Sequence, residues 1–147
     1  MESIDLTYIR SVADGDEELV KQFIEIFVSQ VPQFTADITD ARQKSDWRSL
    51  AATAHKAKSS IASMGLDELS LNMKRLEMLC KSIYIDNTTD CDTMCDSIKA
   101  QLQTMPEELK SWISQNKNLN AVDELINFYN LRVDYAVSEL KKVIDKS

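Results

Sequence analysis

Residues 46–65 carry apolar side chains at alternating spacings of four and three residues. These positions are Leu50, Ala54, Ala57, Ile61 and Met64. On a helix that advances about 100° per residue they form one narrow stripe, which predicts an amphipathic helix with one face against a core. Asp46 precedes the segment as a candidate N-cap, and Gly65 follows it where helix ends favour glycine.

Other segments repeat this spacing. A long, Phe-rich helix is predicted from its cap at Asp16 to about residue 42, with Pro32 expected to bend it or to remove one hydrogen bond. A further helix is predicted to follow a cap at Asp67, and a last one to cover about 121–144. Residues 4–13 predict a short first helix, and residues 84–118 predict shorter helical stretches.

The composition agrees with a helical fold, because the chain contains 2 Gly and 2 Pro, too few for a turn-rich β protein. The predicted class is all-α. We expect an antiparallel four-helix bundle with a short N-terminal helix and a helical insertion at about 84–118, before the last bundle helix. Residues 1–147 are expected to form a single domain.

The net charge of −7 disfavours nucleic acid and anionic membranes as partners. No apolar run reaches the length of a membrane span, and the N-terminus lacks a signal-peptide core. The 3 cysteines follow no metal-binding spacing, and we interpret them as reduced. Cys91 and Cys95 are expected as buried thiols on an apolar helix face rather than as a redox pair. These features predict a cytoplasmic protein.

His55 is the only histidine in the sequence. On the helical wheel it points roughly 140° away from the apolar stripe, toward solvent. Its helical neighbours are small or polar, namely Ala51, Ala52, Lys58, Ser59 and Ala62. An imidazole on such a face is open to a large partner, and Ala51, Ala52 and Ala62 are predicted to contact that partner.

Several chemistries lack the residues that they require. A structural zinc site needs four ligands, and the 1 His and 3 Cys of this chain are scattered along the sequence, so no metal site is predicted. No nucleophile turn and no glycine-rich phosphate loop is visible. An ordinary imidazole is largely unprotonated at pH 7 and can attack phosphorus itself. Lys58 would then offset the charge of the product, an effect of at most about 1 kcal/mol at an exposed site.

The sequence HKAKSS at residues 55–60 resembles the His-x-x-Lys-Gly-Ser motif of the histidine-containing phosphotransfer (HPt) domain. The glycine in MGL, residues 64–66, stands at the distance of that family's closing glycine. The similarity continues in the acidic residues 15–18 before the Phe-rich helix and in Leu76-Glu77 on the helix after the histidine. Together these cover about residues 6–81.

The resemblance implies an intermediate of a multistep two-component phosphorelay. His55 would accept a phosphoryl group from an aspartyl phosphate on a receiver domain and pass it to another receiver. Lys58 and Ser59 would stabilise the phosphoryl group, and Glu77 would approach the imidazole. Ser59 stands where the family usually has glycine, so its hydroxymethyl group would either crowd the receiver or hydrogen-bond the phosphoryl oxygens.

The implied partners are receiver domains of response regulators and of hybrid histidine kinases. The receiver would supply Mg²⁺, so this chain is expected to bind no cofactor and to have no ATPase or autokinase activity. Whether the carrier counts as an enzyme stays open. The alternative is a pseudo-HPt helical adaptor that binds receivers or other proteins without phosphotransfer. In either case the insertion at 84–118 is a candidate for partner choice.

Overall fold

A computed structural model describes residues 2–146 and confirms the predicted all-α class. Within that range the chain forms helices and no strand. The helices are α1 (Thr7–Val12), α2 (Glu17–Gln43), α3 (Trp47–Ser63), α4 (Asp67–Asn87), α5 (Thr93–Thr104), α6 (Glu107–Asn116) and α7 (Leu119–Asp145).

Four long helices form the predicted bundle. Helix α3 packs against α2 and α4, and α7 closes the ring by packing against the same two helices. The core between them is apolar, and its largest fully buried side chains include Phe27, Leu50, Met73 and Tyr129. The Tyr129 hydroxyl reaches the Thr35 hydroxyl at 3.0 Å, so this buried polar group is satisfied within the bundle.

Helix α2 begins and ends close to the predicted positions. The Asp16 side chain accepts hydrogen bonds from the backbone N–H groups of Glu18 and Leu19, as expected of an N-cap. Pro32 lies inside the helix, which runs from Glu17 to Gln43 without a break.

The N-terminal residues are tied to the turn between α3 and α4. The Asp5 backbone N–H donates to the Met64 carbonyl at 3.0 Å, and Gly65 has a φ of +75° with the Asp5 backbone where a Cβ would stand. Helix α1 is therefore shorter than predicted, because residues 4–6 are held by this turn. Asp67 is not the cap of α4, contrary to the prediction, since the Glu2 carboxylate accepts from the Glu68 and Leu69 N–H groups.

The helical insertion lies against α4, which both α5 and α6 contact. Helix α4 continues to Asn87, so residues 84–87, predicted as the start of the insertion, belong to the bundle helix. The Asp92 side chain caps α5 through the Cys95 N–H at 2.8 Å. Asn118 caps α7, which therefore begins at Leu119, two residues before the predicted start.

The cysteine prediction is wrong in one respect. Cys91, in the loop before α5, and Cys95, in the first turn of α5, are joined by a disulfide, so they are not a pair of reduced, buried thiols. Cys91 is exposed and Cys95 is buried, because Cys91 lies in the loop before the helix and only Cys95 faces the core side of α5. Cys80 is a free, buried thiol. None of the helices described between residues 2 and 146 is long and apolar enough to span a bilayer.

Candidate functional site

The amphipathic pattern of α3 holds His55 on the outer surface of the bundle. The predicted apolar stripe is fully buried at Leu50, Ala54, Ala57 and Ile61. The His55 side chain, on the other side of the helix, is 62 % exposed. Because α3 is fixed on both flanks by α2 and α4, the imidazole is presented on a rigid support.

Glu77 lies beneath the ring. It is on α4, its side chain is 2 % exposed, and its Oε2 atom is 3.1 Å from His55 Nδ1. An ionised carboxylate only accepts hydrogen bonds, so in this contact Nδ1 must carry the proton and donate it. The neutral ring then has its lone pair on Nε2, for which the described residues offer no hydrogen-bond partner.

Three lysines surround the Glu77 carboxylate. Lys81 Nζ lies 2.7 Å from Oε2, while Lys58 Nζ and Lys74 Nζ lie 3.3 Å and 3.9 Å from Oε1. Burial is the largest single influence on the pKa of Glu77 and raises it. The hydrogen bond and charge of Lys81, followed by the charges of the other two lysines, outweigh burial, so the pKa of Glu77 lies below its ordinary value.

The predicted residues around His55 divide into two groups. Ala52, Ser59 and Ala62 are exposed on the same side of α3 as the imidazole. Ala51, also predicted as a docking residue, is 2 % exposed and packs in the core, although it lies at the wall of the groove beside His55. The predicted apolar stripe is narrower than the face of α3 that is buried, because α3 packs against two helices rather than one.

Beside His55, a groove of about 500 Å³ is lined by α3, α4 and the inserted helix α5. Its lining includes Ala52, Tyr84, Met94, Ile98 and Gln101. A second groove, of about 290 Å³, lies between α1, α2 and α3. The exposed apolar side chains Tyr8, Val12 and Ile26 line it.

The sequence interpretation missed Lys74, Lys81 and Gln101. Lys74 and Lys81 stand three residues before and four residues after Glu77, so helical spacing alone places all three on one face of α4. Gln101 belongs to the inserted helix, and its Oε1 accepts a hydrogen bond from Lys81 Nζ at 2.6 Å. No spacing rule reveals this contact, because it depends on how α5 lies against α4.

The site has a local charge opposite in sign to that of the chain. Three ammonium groups face one carboxylate, which leaves an excess of two positive charges beside the imidazole, whereas the whole chain carries −7. No group of three or more His, Cys, Asp or Glu side chains between residues 2 and 146 could hold a metal ion.

Comparison with protein-family models gives a match over most of the chain. A family model described as "Hpt domain" matches residues 22–127, which include the bundle helices α3 and α4 and the whole insertion. No curated protein and no solved structure matches the chain.

Proposed function

Because the chain belongs to the Hpt domain family, whose members act in two-component phosphotransfer signalling through receiver domains, we propose that it is a phosphorelay intermediate. His55 accepts a phosphoryl group from an aspartyl phosphate on one receiver domain and passes it to another, in the cytoplasm. The observation that supports this best is the exposed imidazole of His55 with its Nδ1 on the buried, ionised Glu77.

The proposed step is an in-line displacement at phosphorus. The Nε2 lone pair forms the new N–P bond while the bond between phosphorus and the aspartyl oxygen breaks, and the carboxylate of the receiver leaves with that electron pair. The proton on Nδ1 stays in place, so the ring becomes positively charged as the bond forms. Glu77, 3.1 Å from Nδ1, stabilises that charge and keeps the nucleophilic nitrogen directed outward.

Lys58 and Ser59 are proposed to stabilise the phosphoryl group. Lys58 is one turn beyond His55 and uses one of its three ammonium protons on Glu77 Oε1, which leaves donors for phosphoryl oxygens. Ser59 is exposed, and no side-chain hydrogen bond involves its hydroxyl within the described residues, so the hydroxyl is available as a donor. Neither residue can replace His55, because both only neutralise or hydrogen-bond the transferred group.

Receiver domains of response regulators and hybrid histidine kinases are the proposed partners. Ala52 and Ala62 leave room for a domain to approach the imidazole, and the groove with Tyr8, Val12 and Ile26 offers apolar contact area beside the C-terminal end of α3. We propose that the receiver supplies the Mg²⁺ that phosphoryl transfer requires and that this chain binds no cofactor of its own.

The test is transfer from a receiver phosphorylated by acetyl phosphate in the presence of Mg²⁺. Label that is stable to base and labile to acid is expected on the chain, and His55→Gln abolishes it. Lys58→Ala is expected to slow the transfer by about fivefold, the size of a partly exposed charge contact, whereas Lys56→Ala, at an exposed neighbouring position, leaves the rate unchanged. Receiver binding without any label would instead identify an adaptor.

A further inference from the structure

The inserted helix α5 reaches the site through one side chain. Gln101 Oε1 accepts a hydrogen bond of 2.6 Å from Lys81 Nζ. Lys81 Nζ in turn donates to Glu77 Oε2 at 2.7 Å, and that same oxygen faces His55 Nδ1. A continuous set of hydrogen bonds therefore runs from the insertion to the imidazole.

Lys81 differs from the other two lysines around Glu77. Its side chain is 15 % exposed, compared with 22 % for Lys58 and 38 % for Lys74, and its contact with the carboxylate is the shortest of the three. It also binds Oε2, the oxygen nearest the imidazole, whereas the other two bind Oε1. The orientation of the carboxylate toward His55 therefore depends on Lys81 more than on its neighbours.

We propose that Lys81 is a positioning residue for phosphotransfer and that Gln101 of the inserted helix α5 holds it in place. This inference rests on the proposed function. Lys81 fixes the Glu77 carboxylate in the plane that receives the Nδ1 proton, and thereby fixes the direction of Nε2. Gln101 accepts a second hydrogen bond from the same ammonium, so Lys81 Nζ has two close acceptors within the protein, and the one from α5 favours its position beside Glu77.

Without its acceptor at position 101, the ammonium would lose one of two close partners. A flexible lysine side chain then regains water contacts by moving outward, since an ammonium left short of acceptors is costly to keep buried. Glu77 Oε2 would lose its shortest contact, and lysine side chains would hold the carboxylate at Oε1 alone. The contact of Nδ1 would weaken, and the imidazole would more often carry its proton on Nε2, the form that cannot attack phosphorus.

The test compares Gln101→Leu with Gln103→Leu. Both glutamines are exposed on α5, but Gln103 makes no side-chain hydrogen bond within the described residues. Single-turnover transfer from a phosphorylated receiver, measured over a range of receiver concentrations, separates the maximal rate from the half-saturating concentration. Gln101→Leu is expected to lower the maximal rate by about three- to tenfold, with half-saturation unchanged within about twofold. Gln103→Leu is expected to match the unmodified chain.

A double-mutant cycle with Lys81→Met identifies the route of the effect. If Gln101 acts through Lys81, Lys81→Met lowers the maximal rate at least as much as Gln101→Leu, and the two losses are not additive. Additive losses, or a Gln101→Leu rate equal to that of Gln103→Leu, would overturn the proposal. Thermal unfolding of each variant excludes a general loss of structure, and Gln101→Leu, at an exposed position, carries the test if Lys81→Met does not fold.

A second readout does not need a receiver. With 1 histidine in the chain, nitrogen chemical shifts from NMR report the tautomer of His55 without overlap from other imidazoles. The Nδ1-protonated form is expected to predominate at high pH in the unmodified chain and to fall in Gln101→Leu but not in Gln103→Leu. An equal tautomer ratio in all three refutes the positioning role. An unmodified chain that accepts no label refutes the proposed function but leaves this comparison interpretable.

Discussion

Replacing Glu77 with glutamine removes a buried negative charge from among three ammonium groups. Removing one partner of a buried ion pair costs about 3–5 kcal/mol. The lysine side chains are between 15 % and 38 % exposed and can turn toward water, which reduces the cost. We expect Glu77→Gln to lower the free energy of unfolding by about 2–3 kcal/mol at pH 7. For a chain of this size, that loss lowers Tm by roughly 5–10 °C.

The loss of stability caused by Glu77→Gln should be smaller at acidic pH than at neutral pH. The pKa of Glu77 in the folded chain lies below its ordinary value of 4.5, so its ionised form stabilises the fold above that pH. This stabilisation is lost as the pH falls below 4.5 and through the lower pKa that Glu77 has in the folded chain. At acidic pH the unmodified chain carries a protonated Glu77, which resembles glutamine. The difference between the two chains should therefore be largest near neutral pH and shrink at about pH 3.5.

Urea unfolding followed by circular dichroism at the two pH values measures this difference. Glu68→Gln is the matched control, because Glu68 is on the same helix and pairs with Arg132 at 3.2 Å, but its side chain is 54 % exposed. That control is expected to cost at most about 1 kcal/mol. The reasoning fails if Glu77→Gln costs no more than Glu68→Gln, or if its cost is the same at both pH values.

Two further predictions concern the framework of the site. Both glycines have φ near +75°, but a Cβ at Gly65 would overlap neighbouring backbone whereas one at Gly15 meets nothing within 4 Å. Gly65→Ala should therefore cost about 2–4 kcal/mol in urea unfolding and Gly15→Ala about 1 kcal/mol, and equal costs would contradict the close approach. Thiol titration of the unreduced chain in denaturant should detect Cys80 alone, and reduction should add Cys91 and Cys95. Native Cys80 should not react, because burial raises its pKa, and three thiols before reduction would refute the disulfide.

The long helices could be predicted because the information is local. Apolar spacing and side-chain caps such as Asp16 and Asp46 lie within a few residues of the helix starts that they define. The errors fall where distant residues intervene. Asp67 has the right chemistry for a cap of α4, but the carboxylate of Glu2, 66 residues away from Glu68, takes the helix N–H groups.

The site shows the same division between local and distant information. The outward position of His55 follows from the helical wheel of α3. Lys58 and Glu77, both predicted as site residues, meet in the structure, with Lys58 Nζ 3.3 Å from Glu77 Oε1. The contact between Lys81 and Gln101 joins positions 20 residues apart on two helices. It depends on the angle and register of α5 against α4, which no periodicity within either helix specifies.

The charge distribution reconciles an acidic chain with the anionic aspartyl phosphate proposed as its reaction partner. A net charge of −7 would repel an aspartyl phosphate if the charge were spread evenly. Exposed charges more than about 8 Å apart are largely screened at physiological ionic strength, so the reacting group responds mainly to its nearest neighbours. Those neighbours are three lysines and one carboxylate, which leave a positive excess around Glu77, beneath the imidazole. Glu77 thus has two effects, since it orients the imidazole and also keeps the three ammonium groups together beside it.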